Sequence, residues 1–144
     1  MPDVVIISGS ESDSELVRKV ESVLEELGVS YGSYIASAHR NPKKVEEIVK
    51  RSGPKIFIGI AGLSAALPGV IASHTTKPVI GLPRDVKLEG LDSFLSMVQM
   101  PPGVPVATVG IDSAKNAALL AVEILALSDD ELKKRLEEYR EKGR

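Results

Sequence analysis

"VVIISGSESDSELVRKVESVLEELG", residues 4–28, changes its period partway along, and that change decides the fold. "VVIIS" (4–8) is a short β-branched run closed by Gly9 and Ser10, the pattern of a strand buried on both faces. From Ser12 onward the period changes, and Leu16, Val20, Val23, Leu24 and Leu27 recur. They follow i, i+4, i+7, i+8 and i+11, one stripe of a helix, which Gly28 stops. A buried strand that feeds an amphipathic helix is the repeating step of an α/β domain.

The step recurs along the chain. "YGSYIAS" (31–37) reads as a second strand; Asn41 as N-cap and Pro42 at the first helical position then open a helix to about Arg51. "KIFIGIAG" (55–62) is a third strand, followed by "LSAALPGVIASHT", a helix of small residues whose start Pro68 and Gly69 can break. "PVIGLP" (78–83) is a fourth strand, "LDSFLSMVQM" (91–100) a short helix, and "VPVATVG" (104–110) a fifth strand. "DSAKNAALLAVEILAL" (112–127) is a long apolar helix. Ser128 and Glu131 form a capping box for a last helix with the stripe Leu132, Leu136 and Tyr139. Lys133–Glu137 and Glu138–Lys142 are spaced as i, i+4 pairs on that helix. The expected fold is therefore α/β, a three-layer domain with a doubly wound parallel sheet and a C-terminal helix, in one unit over residues 1–144. The helix at 114–127 is apolar nearly all round, and the last helix adds a leucine stripe able to cover a neighbour, so a homo-oligomer is expected.

Composition narrows the partners. The chain is 43% hydrophobic and 26% charged, a globular balance, and its net charge of −2 mixes both signs, so no basic stripe invites nucleic acid. No apolar run is long enough to span a bilayer, and no basic region precedes "VVIIS", so neither membrane span nor signal peptide is expected. Zero cysteines exclude disulfides, thiolate chemistry and sulfur-built zinc sites, and suit a cytoplasmic protein. Five Tyr and Phe without any Trp leave few stacking platforms for bases or a flavin. A small polar ligand fits best.

Ligands of doubly wound sheets bind outside the carboxyl ends of the strands. Those ends are "SGSESD", "SAHR", "AGLS" and "GLPRD". "SGSESD" offers hydroxyls, a glycine and helix-start N–H groups, the parts of a phosphate site; the same residues equally suit an ordinary N-cap with Asp13 on the helix dipole. It is neither a P-loop nor a G-x-G-x-x-G fingerprint. In "SAHR", His39 can exchange protons near neutral pH and Arg40 can fork onto a phosphate or carboxylate, against the alternative of a surface turn. His74 falls near a helix end, where a structural role suits it. Lys115 and Asn116 read as a solvated helix start.

In order along the chain, "SGSESD", "SAHRNP", "ALPGVIAS", "PVIGLP", "GLDSFLSMVQMPPGVPVATVGI" and "AKNAALLAVEILAL" closely resemble the N5-carboxyaminoimidazole ribonucleotide mutases of purine biosynthesis, over about residues 3–127. The resemblance implies a flavodoxin-like fold, an octamer, a small-molecule ribonucleotide substrate, and no metal or organic cofactor. It implies transfer of a carboxylate from the exocyclic nitrogen to ring carbon C4. Carried over by position, His39 takes the general acid/base role, and Ser10, Asp13 and Arg40 bind the ribonucleotide.

One position departs from that pattern. The mutase branch usually has a histidine immediately before Leu-Pro-Gly, where this chain has Ala66. Ser64 leans toward the related carboxylases that use free CO2, while Leu91 to Val109 follows the mutases. A non-catalytic nucleotide- or flavin-binding module of the same fold is the alternative from another class. A receiver-type signalling module would need an acidic residue at the end of strand three, and "IGIAG" has none.

Overall fold

The computed structural model describes residues 1–143. Five strands, β1 (Val4–Ser8), β2 (Tyr31–Ile35), β3 (Ile56–Ala61), β4 (Val79–Pro83) and β5 (Ala107–Thr108), form one sheet in the order β2-β1-β3-β4-β5. Every pairing is parallel. Six helices connect and flank them: α1 (Ser14–Glu26), α2 (Pro42–Ser52), α3 (Leu67–Ser73), α4 (Leu91–Val98), α5 (Ala114–Ala126) and α6 (Asp130–Glu141). A single 3-10 turn, Glu11–Asp13, joins β1 to α1. The doubly wound parallel sheet read from strand–helix alternation is observed, and it has the flavodoxin-like arrangement that the family resemblance implies.

Strand alternation splits the core in two. Val4, Ile6, Ile56, Ile58 and Ile60 point to one face, where α1, α5 and α6 cover them. Val5, Ile7 and Phe57 point to the other, under α2, α3 and α4. On this second face Gly59 and Gly81 are cross-strand partners. A methyl at Gly59 would stand 3.1 Å from Ile71 Cδ1 and 3.2 Å from the Pro68 backbone, and one at Gly81 would stand 3.1 Å from Met97 Sδ. The missing side chains let α3 and α4 lie close on the sheet. Pro68 therefore belongs to the first turn of α3, which begins at Leu67, after the loop 62–66.

Several expectations need correction. The fifth strand shrinks from 104–110 to Ala107–Thr108, because Pro105 cannot donate to a ladder. The cap of α6 is Asp129, not Ser128: its carboxylate accepts from Leu132 N–H at 3.0 Å. Asn41 stands before Pro42 as expected, yet its side chain makes no cap bond. Among the described residues the ion pairs of α6 are Lys134–Glu131 and Arg140–Glu123, not the i, i+4 pairs expected.

The grounds for an oligomer also move. Leu132, Leu136 and Tyr139 are buried within the chain, and α5 is covered by α1, the sheet and α6. Arg135 of α6 also donates to the Leu27 carbonyl at 2.9 Å, closing the end of α1. An uncovered apolar stripe lies instead on α4, where Leu91, Leu95 and Val98 face outward while Ser93 and Met97 are buried.

Candidate functional site

The sheet order reverses at β1, whose chain neighbour β2 lies on one side and β3 on the other. The ends of β1 and β3 open a cavity of about 320 Å³ there, which continues toward Asn41 as a cleft of about 520 Å³. Ser10, Asp13, His39 and Arg40, the four residues expected from the sequence, all line the cavity. Leu63, Ser64 and Leu67 close it on the β3 side.

The turn after β1 is held from both flanks. Gly9 N–H donates to the Ile60 carbonyl at 3.1 Å, so it extends the β1–β3 ladder instead of facing a ligand. Arg40 Nη2 reaches the Gly9 carbonyl at 3.3 Å, while its own N–H is received by Ser37 Oγ at 3.1 Å. Within the turn, Asp13 Oδ2 accepts Ser10 N–H at 3.0 Å, which removes one of the N–H groups expected to be free. The N–H groups of Glu11 and Ser12 stand first in the 3-10 turn and have no acceptor three residues back within it. The Ser10 and Ser12 hydroxyls are hydrogen-bonded to each other.

Asp13 is only 2% exposed. A carboxylate so buried needs compensation, and it receives the guanidinium of Arg84, whose Nε donates to Oδ1 at 2.7 Å. Arg84 Nη2 continues to Ser12 Oγ at 3.2 Å. With both oxygens already engaged, Asp13 retains lone pairs for a further hydroxyl donor, since a carboxylate has about four acceptor sites. Arg84 was not singled out in the sequence, although "GLPRD" occupies a strand end like "SAHR"; that position is the signal that would have found it.

The two arginines thus differ. Arg84 is committed to a carboxylate, whereas Arg40 is exposed, its guanidinium donates to the Gly9 carbonyl, and it is in no ion pair among the described residues. His39 is exposed at the rim, at the end of the loop after β2, with room for its imidazole to meet a ligand lying in the cavity. His74 stands at the C-cap of α3, is exposed, and does not line the cavity. Lys115 faces a separate groove with Lys19 and Tyr139, and so stands away from this cavity. Ala66 sits at the N-cap of α3, beside the cavity-lining Leu67, and Ser64 takes a left-handed φ of 42°. Outside the cavity, the hydrogen bond to Glu25 holds the Tyr31 phenol above the ordinary tyrosine range, and Lys50 lowers the Glu46 carboxyl. No group of three or more His, Asp or Glu among the described residues is arranged to hold a metal. No helix among them is long and apolar enough to cross a membrane.

Comparison with known proteins places this geometry among relatives. The family model described as AIR carboxylase matches residues 3–144. An N5-carboxyaminoimidazole ribonucleotide mutase of Methanocaldococcus jannaschii is 61% identical over 139 residues, covering 96% of this chain and 88% of that protein. A protein of the same description from Pyrococcus abyssi is 52% identical, covering 98% and 83%. Among solved structures, Treponema denticola PurE superposes with a TM-score of 0.90 at 34% identity, covering 97% of this chain and 90% of that one.

Proposed function

The chain belongs to the AIR carboxylase family, and from that premise we propose that it is an N5-carboxyaminoimidazole ribonucleotide mutase of purine biosynthesis. It moves the carboxylate of its substrate from the exocyclic nitrogen to C4. The observation that carries the reading is one cavity lined by a rim histidine, an uncommitted arginine and a serine-rich turn. We take residues 1–144 as one catalytic domain.

In this reading Arg40 and the hydroxyls of Ser10 and Ser12 receive the phosphate, and Asp13 accepts a ribose hydroxyl. The aminoimidazole then lies toward His39. As an imidazolium, His39 protonates the exocyclic nitrogen while the N–C bond of the carbamate breaks and releases CO2. The electron pair of the ring attacks that CO2 through C4. The imidazole finally takes the C4 proton, which restores the aromatic ring and the imidazolium together. Protons balance within one side chain, so no second acid is required. Retaining CO2 needs an enclosed pocket, which Leu63 and Leu67 bound on one side.

His39 is exposed in the single chain, so closure comes from the bound nucleotide or a neighbouring copy. The outward stripe of α4 favours a homo-oligomer, and family resemblance gives it eight subunits. A cytoplasmic location accords with the composition.

His39→Asn tests the reading. Turnover should fall by roughly 10² to 10⁴, the usual worth of a positioned acid/base, while nucleotide affinity stays within a few-fold. His74→Asn should leave the chemistry almost intact. Near-normal turnover of the His39 variant would remove its assigned role. The carboxyl donor is tested alongside, because Ala66 and Ser64 depart from the mutase pattern. Efficient conversion of the N5-carboxylated nucleotide with little response to bicarbonate supports the mutase. Carboxylation of aminoimidazole ribonucleotide that depends on CO2, with no use of the N5-carboxylated substrate, overturns it.

A further inference from the structure

We infer that Arg84 is a positioning residue for nucleotide binding, acting through Asp13 and not by touching the substrate; this rests on the reading of the cavity as a ribonucleotide site. Asp13 and Arg84 are 71 positions apart and join the ends of β1 and β4 across the end of β3. Gly62, just after β3, lies beside this crossing, packed against Val86. A Cβ there would collide with Val86 Cγ2 and stand 3.5 Å from Arg84 Nε.

The platform that carries Arg84 is fixed at its backbone. Arg84 N–H donates to the Ala61 carbonyl at 3.0 Å, and Asp85 N–H donates to Asp112 Oδ1 at 2.9 Å. From that platform Nε is spent on Asp13 and Nη2 on Ser12. Two of the directions a guanidinium uses for recognition are therefore already taken. Asp13 relays the constraint, because its other oxygen holds Ser10 N–H. One arginine thus fixes the rotamer of Asp13, the Ser12 hydroxyl and the entry to the turn before any ligand arrives. Such preorganisation lowers the cost of ordering a polar cradle on binding. It predicts an effect on affinity with the chemical step spared.

The test is a cycle of the intact enzyme, Arg84→Met, Asp13→Asn and the double variant, with Arg84→Lys as the conservative replacement. Each is assayed with N5-carboxyaminoimidazole ribonucleotide, and its fold is followed by thermal melting. Arg84→Met should raise KM by about tenfold or more, the usual scale for losing hydrogen bonds to a charged group, while kcat stays within about threefold. Arg84→Lys should recover part of that loss. The loss in the double variant should fall well short of the product of the two single losses, because beside Asp13→Asn the arginine has no carboxylate to hold and keeps only its bond to Ser12. Losses in KM that multiply in the double variant would show direct substrate contact and overturn the inference, as would an unchanged KM in Arg84→Met or a fall confined to kcat. If Arg84→Met melts below the assay temperature, Arg84→Lys carries the cycle: an intermediate rise in KM that shrinks clearly beside Asp13→Asn supports the inference, and one that persists in full overturns it. If the intact enzyme does not turn over this nucleotide, the reading of the reaction fails on that arm alone. The cycle is then run by calorimetry with ribose 5-phosphate, where the same non-additivity in Kd is expected and additive losses overturn the inference.

Discussion

The two faces of the sheet are finished differently. On the α1–α5–α6 face the chain covers its own apolar surface out to the last layer, where Leu132, Leu136 and Tyr139 are 3–8% exposed. On the α2–α3–α4 face the outer helix is turned the other way. Ser93 is fully buried, its hydroxyl donating to the Ala61 carbonyl at 3.1 Å, while Leu91, Leu95 and Val98 are 43–53% exposed. Those three are spaced i, i+4, i+7, so they form one stripe. A helix that spends its small polar residue on the sheet and its leucines on the outside has a second surface to satisfy. The first face is a self-contained core; the second is a core whose outer helix leaves an apolar stripe that this chain does not cover.

Breaking the covered face should have the largest effect on the fold. Leu136→Ala removes an outer leucine that packs into the cluster with Leu24 and Leu125. It should cost roughly 2–4 kcal/mol, the range for truncating a buried leucine, read from the midpoint of denaturant unfolding. A cost below about 0.5 kcal/mol, typical of surface positions, would mean that α6 is an appendage and not part of the core.

The second face is sharpened by Gly59→Ala. The added methyl meets Pro68 and Ile71 at 3.1–3.2 Å, and one of those contacts is backbone, which cannot rotate away. Overpacking of this kind costs about 1–3 kcal/mol. The site should respond too, because α3 starts at Leu67, a wall of the cavity. The check is unfolding together with KM. An unchanged midpoint would mean that α3 slides freely on the sheet, and that the close approach seen at Gly59 and Gly81 is not a requirement.

How much of this was legible beforehand follows from how local each feature is. β1, β3 and β4 read directly because β-branched runs buried on both faces leave a continuous apolar signature, and α1 reads from its stripe. That His39 and Arg40 would line the cavity was legible because the strand-end rule needs only neighbouring residues. Arg84 was passed over because its meaning lies in a partner 71 residues away, and no local pattern announces a buried ion pair. The α6 cap was misplaced by one residue because Ser128 and Asp129 are both good caps, and only the bond to Leu132 N–H separates them. For a related reason the leucine stripe of α6 reads as free to cover a neighbour, yet it is covered within the chain. Leu132, Leu136 and Leu95 look alike in sequence, and only packing decides which stripes the chain itself covers.

The finest distinction between the faces is made by Leu95→Asp, at the middle of the outward stripe. At 43% exposure in the single chain, Leu95 contributes little to a subunit's own core, and surface substitutions of this kind stay within about 0.5 kcal/mol. The intrinsic stability of the subunit should therefore hardly change. Association should change clearly, because a carboxylate placed in an apolar contact must be desolvated without a partner. Two measurements separate these effects. Sedimentation at micromolar concentration should show a smaller species than the parent enzyme. The parent's melting temperature should rise with protein concentration, since assembly stabilises the folded subunit by mass action, whereas the variant's should be independent of it. If the variant assembled like the parent, the α4 stripe would not be the contact surface. If it instead unfolded as readily as Leu136→Ala, the two faces would be equally closed and the contrast between them would be lost.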